Sequence, residues 1–489
     1  MRTTLILTLV LFVFSLLPGW GQVTEKKDPL EGYIQDGLES NLVLQQKNVS
    51  LDKALLALKT AKSLFFPAVD LQFDYQTADG GRNIPLPLGD LLNNAYATLN
   101  QLTGTQAFPQ LQNESIQFLP TNYYDARVRT TVPIINTDLF YNKRISQQQI
   151  VLREYEADTY RRELVRNIKL AYYNYLSALR SVDIYRSSLQ LAKEGKRVNE
   201  KLLDNGKGLP AYVLRANSEI ASGQAQLTAA RQQVGNARLF FNALLNRPAG
   251  SAIDTSFDVK GELDRAYLQL TKEGGITGRE ELRSVEQIIR LNETVVKMNR
   301  NYLVPELNGF LDLGSQSEGW TFDNQSRYYL AGFQLKVPLF AGNRNRQKIR
   351  QARLDVKDAQ LKLEEVKQQL DMSVRVAQNN LKAAWETYRS SQTQLEAAES
   401  YQRLIGRGYR AGTNTYIETV DARAQLTAAR MASIISEYHV LLASAELERE
   451  TASYQLKQEP EHRAGNNETG NLQDHPDAKQ KKTVKKLNK

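Results

Sequence analysis

The most regular pattern in the chain is a strict alternation of apolar and polar residues. Residues 69–76 (VDLQFDYQ) place Val, Leu, Phe and Tyr on one face and Asp and Gln on the other, and residues 124–132 repeat this alternation. Residues 307–313 and 329–337 alternate less cleanly. Each segment is about as long as the 9–11 residues that a tilted strand needs to cross a bilayer. A soluble antiparallel sheet with one wet face gives the same alternation, so the pattern leaves both interpretations open.

Four such strands raise a problem of closure. Known membrane barrels contain about eight strands or more, so four strands cannot close a barrel on their own. A membrane interpretation therefore requires an oligomer, and three chains of four strands would supply twelve. This argument favours the membrane interpretation without excluding the soluble sheet.

Aromatic residues cluster near one end of these strands, where the aromatic girdle of a membrane interface would lie. They are Tyr75, Tyr123, Tyr124, Trp320, Phe322, Tyr328 and Tyr329.

Long helical patterns occupy most of the remaining chain. Apolar and small residues recur in steps of three and four from Arg344 to the glycines at 406–412, and a return helix is predicted from Tyr416 to Tyr454. The first half repeats this arrangement over residues 143–204 and 211–246. A helix of this length would extend roughly 100 Å. A plain coiled coil would show the same period, but it would not explain the strand pairs between the helices.

The two halves of the chain are copies of one unit. Residues 205–216 (NGKGLPAYVLRA) align with residues 411–422 (AGTNTYIETVDA) at an offset of 206 residues. The hexapeptide QLTAAR, at 226–231 and again at 425–430, is displaced from that register by seven residues. Seven residues make two helical turns, so both copies present the same face. We interpret the hexapeptide as a chance echo and the duplication as real.

Four prolines mark the predicted junctions between helices and strands: Pro67, Pro133, Pro305 and Pro338. Proline suits such positions because it ends a helix and gives up one ladder donor at the end of a strand. The first half carries 33 additional residues between its two strands, and they include GGRNIPLPLG. That composition predicts a loop.

The termini predict export and a disordered tail. Residues 1–21 have one early charge, an apolar run too short to span a membrane comfortably, and small residues at a cleavage site, which is typical of a signal peptide. No later segment has 18 consecutive apolar residues, so a helical membrane protein is not expected. Residues 455–489 are polar, and the last eleven of them (KQKKTVKKLNK) hold six lysines, which contribute much of the net charge of +9. The remainder is near balance and gives no indication of nucleic-acid binding.

The residues that carry chemistry argue against an enzyme. The chain has no cysteine, which excludes disulfides and thiolate metal sites, and it has no GxxxxGK[ST] phosphate loop. His439, His462 and His475 are too few and too poorly placed for a metal site. No nucleophile–histidine–acid set stands out. We therefore expect neither catalytic activity nor a cofactor.

Two segments carry a resemblance to a known family. Residues 337–353 (VPLFAGNRNRQKIRQAR) and 408–423 (GYRAGTNTYIETVDAR) resemble a strand-to-helix junction and a periplasmic helical hairpin of the outer-membrane efflux proteins typified by TolC. The resemblance extends from about Pro29 to Tyr454. It implies an α plus transmembrane β fold in which a trimeric 12-strand β-barrel, with four strands per chain, continues into a long periplasmic α-helical barrel. It also implies structural repeats at 29–250 and 262–454.

The resemblance implies a function as well. It predicts a homotrimer in the bacterial outer membrane that conducts substrates passively to the exterior from a periplasmic adaptor protein and an inner-membrane pump, in tripartite efflux or type I secretion. Outer-membrane lipid would be a further partner. The alternative is a non-conducting periplasmic coiled-coil adaptor or structural protein, which would be soluble without detergent.

Finally, the resemblance assigns candidate site residues. Those at the adaptor-contacting hairpin tips are Asn205, Gly206, Gly208, Leu209, Tyr409, Arg410, Ala411, Gly412 and Thr413. Glycine at a tip permits a tight turn and close approach of a partner backbone, although any helical hairpin turn favours glycine too.

Glu418 and Asp421 match the family's periplasmic constriction and would form two acidic rings in a threefold assembly. Acidic rings in a narrow pore favour cations, while two solvated acids on a helix are the simpler alternative. The match is imperfect, because Glu418 stands where TolC has Asp. Asn414 replaces an arginine that helps to close the tunnel, and Tyr212 replaces an acidic residue. The bonds that close the tip must therefore differ here.

Overall fold

The computed structural model describes residues 28–271 and 274–456. The predicted signal peptide at 1–21 and the tail beyond residue 456 lie outside the described residues. The helices are α1 (Pro29–Ser40), α2 (Leu42–Ser63), α3 (Leu88–Thr103), α4 (Thr137–Asp204), α5 (Pro210–Leu244), α6 (Val259–Leu270), α7 (Glu280–Arg300), α8 (Arg344–Ala411) and α9 (Tyr416–Glu450). The strands are β1 (Ala68–Gln76), β2 (Asn83–Leu86), β3 (Glu114–Gln117), β4 (Tyr123–Ile135), β5 (Glu306–Glu318) and β6 (Arg327–Lys336).

The chain divides into two compact units. One contains the described residues up to Leu44 together with residues 158–279 and those from Gln369 onward, and the other contains residues 45–157 and 280–368. The predicted repeat boundaries at 29–250 and 262–454 follow the sequence duplication rather than this division, and they stay a prediction.

The predicted strands all form, and they pair into one antiparallel sheet in the order β1-β4-β5-β6. β1 and β6 are therefore the edges of this sheet. β4 and β5, one from each half of the chain, pair along almost their whole length, from Tyr123 opposite Glu318 to Ile135 opposite Leu307. The duplicated strand pairs thus join into a single four-stranded sheet.

The long helices also form as predicted, with α4 and α8 each 68 residues in length. The shorter return helices α5 and α9 each have 35 residues. Leu227 and Leu426, the leucines of the two QLTAAR copies, are both buried. The two hexapeptides therefore present equivalent faces, as the heptad displacement predicts. Among the described residues, every helix falls short of the length and apolar character that a membrane-spanning helix needs.

An aromatic cluster forms the centre of the core in the first unit. Tyr172 of α4 is fully buried, and its hydroxyl donates to the carbonyl oxygen of Asp254 at 2.8 Å. Its ring lies against those of Tyr33 and Phe241, with centroids 5.9 and 5.8 Å away. Burial raises the pKa of the Tyr172 hydroxyl, so this group stays neutral and acts as a donor. The contacts tie α1 and α5 to the long helix α4.

Two sequence predictions about the strand region are wrong. Pro133 does not end its strand, because β4 continues to Ile135 through a register irregularity between these two residues. A bulge accommodates proline inside a sheet, since one residue there needs no ladder hydrogen bond. The additional segment of the first half is not a simple loop either. It contains α3 and a two-stranded sheet of β2 and β3, so its Gly and Pro residues punctuate short elements.

Candidate functional site

The outer-facing side of the four-stranded sheet is apolar and uncovered. Leu71, Val128, Leu313 and Tyr329 lie side by side across the four strands. Leu71 and Tyr329 are each 78% exposed, and Phe333, further along the same face, is 76% exposed. A soluble sheet would pack such a face against a core. Within the described chain nothing covers it, and large contiguous apolar patches of this kind mark interaction or membrane surfaces.

The opposite side of the same sheet is charged and internally paired. Arg129 of β4 forms a bidentate pair with Asp312 of β5, with nitrogen–oxygen distances of 2.7 and 2.6 Å. Arg127 donates to Gln72 of β1 at 3.0 Å and pairs with Asp74 at 3.0 Å. Charged pairs therefore link the strands across this polar face. The sheet is therefore polar on one face and apolar on the other, as is the wall of a water-filled membrane barrel.

The sheet edges require partners from outside the chain. Among the residues that the structure describes, β1 and β6 each pair on one side only. β1 (nine residues) and β6 (ten residues) therefore both present unpaired backbone groups. Long open edges invite pairing with another chain, and closure removes them. Within a bilayer every backbone group must be paired, because no water is present to bind it.

Part of the predicted aromatic cluster faces outward at one end of the strands. The Trp320 ring stacks on Tyr75 and Tyr124 with centroid distances of 5.5 and 5.6 Å, and its indole nitrogen donates to Asn122 at 3.1 Å. Phe322 is exposed beside them. Amphipathic rings at strand ends are typical of a membrane interface.

Tyr123 and Tyr328, which the sequence analysis placed in the same cluster, lie on the polar face instead. Their hydroxyl groups donate to Gln316 at 2.7 Å and to Asp125 at 2.8 Å. The reason is register, since Tyr123 and Asp125 are two residues apart on β4 and therefore share a face.

The two hairpin tips have the same turn geometry. Gly206, just after helix α4, has a φ of 74°, and Gly412, just after helix α8, has a φ of 79°. At each tip the glycine N–H donates three residues back, to Leu203 and to Tyr409 respectively. The following N–H donates to the carbonyl five residues back, at 2.8 Å in the first tip and 2.9 Å in the second. This is a Schellman cap, and the two copies are 206 residues apart, which is the offset of the duplication.

The other first-tip residues also lie at the turn. A Cβ on Gly208 would come within 2.5 Å of the backbone nitrogen of Leu203, so a side chain does not fit there. Leu209 precedes α5 and is 55% exposed. The Asn205 side chain donates to the Lys201 carbonyl at 2.6 Å. The first tip is thus a tight turn with one projecting apolar side chain.

At the second tip the residues divide between the surface and the interior. Arg410, Ala411 and Thr413 are exposed. Tyr409 instead turns inward, where its hydroxyl donates to Asn199 of α4 at 3.2 Å, and burial raises its pKa. Tyr409 is therefore better suited to hold the two hairpins together than to contact a partner.

Glu418 and Asp421 are both exposed in the first turns of α9. The Glu418 carboxylate is engaged in a capping box, where it accepts hydrogen bonds from Thr415 and Asn414. The Thr415 backbone bond and these side-chain bonds lower the pKa of Glu418, so it stays ionised. Asp421 accepts from Gln425 at 2.7 Å. Glu418 thus has the structural role of a capping residue, whatever else it does.

Sequence reasoning missed an ion pair that joins the two hairpins near their tips. Arg423 of α9 pairs with Glu219 of α5 at 2.9 Å, and both side chains are largely buried. The guanidinium also lies over the Tyr416 ring, 5.6 Å from its centroid. Tyr416 is 1% exposed, and its ring contacts that of Tyr212 at 5.4 Å. Tyr212 thus makes an aromatic contact at this position, and the acidic partner of Arg423 is Glu219.

Comparison with known proteins gives a family match for part of the chain. Residues 276–453 match the family described as outer membrane efflux protein. No curated protein sequence matches the chain significantly.

The fold is shared by several solved structures. The outer-membrane channel OprN is similar, with 18% identity and a TM-score of 0.68, over 87% of this chain and 90% of that one. The Campylobacter jejuni CmeC outer membrane channel has 14% identity and a TM-score of 0.67, covering 91% and 92% of the two chains. The open state of the Neisseria gonorrhoeae MtrE outer membrane channel has 15% identity and a TM-score of 0.67, covering 87% and 89%. These matches confirm the TolC-like fold that the sequence resemblance implied.

Proposed function

We propose that this protein is an outer-membrane channel, because residues 276–453 match the outer membrane efflux protein family and the described chain shares the fold of solved outer-membrane channels. As a homotrimer, it conducts substrates passively to the cell exterior. An inner-membrane pump and a periplasmic adaptor deliver those substrates, and the helical part of the channel lies in the periplasm. The protein is a conduit and not an enzyme.

The exposed apolar face of the four-stranded sheet carries this proposal. Leu71, Tyr329 and Phe333 are open on one face, while Arg129 and Asp312 are paired on the other. Lipid covers the first face and water fills the space beside the second. The open edges at β1 and β6 pair between copies, so three chains close a barrel of twelve strands. The alternative of a soluble periplasmic coiled coil leaves both the apolar face and the two edges unexplained.

The hairpin tips are proposed to bind the adaptor. The two Schellman turns are rigid, and Leu209 projects from the first while Arg410 and Thr413 are exposed on the second. A tight glycine turn permits close backbone approach by a partner hairpin. Tyr409, which is turned inward, supports the tip from within.

Glu418 and Asp421 are proposed to line the periplasmic constriction. In a trimer each residue forms a ring of three carboxylates, and such rings attract cations. Because the Glu418 carboxylate is held by the capping box, its ring is fixed in place at the start of α9. Asp421, which is exposed and lies outside the capping box, is the better candidate to face the permeating ion.

Conductance measurements test the proposal that the protein is a channel. Purified protein is reconstituted into planar lipid bilayers, and the conductance of single insertions and the reversal potential in a salt gradient are measured. Discrete conductance steps that prefer cations support the proposal. Protein that remains soluble without detergent and gives no steps contradicts it.

Substitution at the constriction separates the ring proposal from the channel proposal. Asp421→Asn is expected to reduce cation preference more than Glu418→Gln, whereas the charge-retaining variant Asp421→Glu serves as the matched control and keeps the preference. Unchanged selectivity in all three variants would remove these residues from the constriction while leaving the channel in place.

A further inference from the structure

The additional segment of the first half, residues 77–122, folds around one amphipathic helix. Helix α3 places apolar side chains at Leu88, Leu92, Ala95, Leu99 and Leu102. These positions follow one another in steps of four, three, four and three, which is the spacing of a coiled-coil seam. At about 100° per residue they lie within one face of the helix.

The segment itself covers this leucine face only in part, because Leu88, Leu92 and Leu99 are still between 37% and 39% exposed. Asn93 and Asn100 lie on the other side of α3, and their amides hold the return chain through Leu111 and Phe108, at distances between 2.7 and 3.0 Å. The helix therefore turns its asparagines toward its own chain and its leucines away from it. Leu102 is 78% exposed. This arrangement is the reverse of a helix that packs on its own core.

The charge of the segment indicates whether a lipid surface or another helix covers the leucine face. Residues 77–122 contain three acidic residues, Asp79, Asp90 and Glu114, and one arginine, Arg82, which lies over the Phe118 ring. Helix α3 itself carries Asp90 and has no lysine or arginine. Helices that bind a lipid surface carry basic residues on the polar face to reach anionic headgroups. Helix α3 has no basic residue on its polar face, while its seam-like spacing suits another helix of the same kind.

The position of the segment in the chain indicates which molecule the leucine face contacts. The segment follows directly from β1, which is an edge strand of the sheet. In the proposed trimer, this edge pairs with β6 of the neighbouring copy, so the segment emerges beside the seam between two chains.

We propose that the α3 helices of three copies pack through their leucine faces into a parallel three-helix cluster. The partner of this surface is a second copy of the chain, and the inference rests on the proposed trimer. The cluster extends the contact between copies beyond the strand edges. Threefold symmetry makes the helices parallel and in register, as a heptad seam requires.

The absence of cysteine in the chain makes the test direct. Leu99→Cys and Leu102→Cys are introduced separately into the full protein, and Gln101→Cys is the matched control. Gln101 is exposed on the same helix but lies about 140° from the centre of the leucine face. Each variant is purified in detergent, its trimeric mass is checked by light scattering, and it is then oxidised mildly.

The expected result is a disulfide-linked dimer on denaturing gels for at least one leucine position, lost on reduction, with several-fold less product at Gln101. Verified trimers that form no cross-link at either leucine position, or as much at Gln101, overturn this inference alone. Spin labels at Leu102 that report lipid contact in nanodiscs also overturn it, because a lipid surface then covers the face. A particle that is not a trimer overturns the proposed function as well.

Discussion

Replacing Leu71 by arginine tests whether the apolar sheet face meets lipid. Leu71 is 78% exposed and lies one residue from Asp70, which is opposite Arg129 at the middle of β4. An arginine on the lipid face near the bilayer midplane costs about 2–4 kcal/mol. Because a trimer contains three copies of the position, the cost is roughly 6–12 kcal/mol per assembled channel.

The assay compares denaturant unfolding of trimers refolded into lipid vesicles. Gln334→Arg adds the same charge to the polar face, where the side chain is exposed, and is expected to change stability little. Leu71→Ala removes the leucine without adding charge and separates the two contributions. The interpretation is refuted if Leu71→Arg assembles and unfolds like Gln334→Arg, because an arginine that costs nothing at this position is in water.

Three further perturbations address the hairpin tips. Arg423→Met leaves the largely buried Glu219 carboxylate without its arginine. The free energy of unfolding should fall by about 1–3 kcal/mol, which is less than for a fully buried ion pair. A double-mutant cycle with Glu219→Gln should show strong coupling between the two positions, and additive losses would contradict the pairing. Gly208→Ala brings a methyl group within 2.5 Å of the backbone and should weaken both the turn and adaptor binding in pull-down assays. The control is Gly235→Ala, where the added methyl group meets open space and should stabilise α5 by up to about 1 kcal/mol. Thr415→Ala removes the N-cap of α9 and should cost about 1 kcal/mol in thermal unfolding, and an unchanged melting temperature would show that the cap is dispensable.

Much of the strand arrangement could be predicted from sequence because a strand has a period of two. The alternation at residues 69–76 assigns Leu71 and Asp70 to opposite faces, and a one-residue error would exchange them. What the alternation could not decide is which face is covered, because a wet soluble sheet and a lipid-facing sheet share one pattern. The exposed fractions in the folded chain supply that distinction.

The features that were missed depend on contacts between distant residues. Arg423 and Glu219 are 204 residues apart, and neither has a neighbour in sequence that indicates its partner. The fold of residues 77–122 was missed for another reason. Its helix turns Asn93 and Asn100 inward, so its polar and apolar faces do not follow the usual rule that leucines pack on the chain's own core.

The central claim is that three chains close one channel. Electron cryomicroscopy of the detergent-extracted particle tests it most directly. The account predicts threefold symmetry, with four strands from each chain forming a closed barrel of twelve strands in which β1 of one copy pairs with β6 of the next. A monomer, a two-stranded assembly or an open sheet would contradict it.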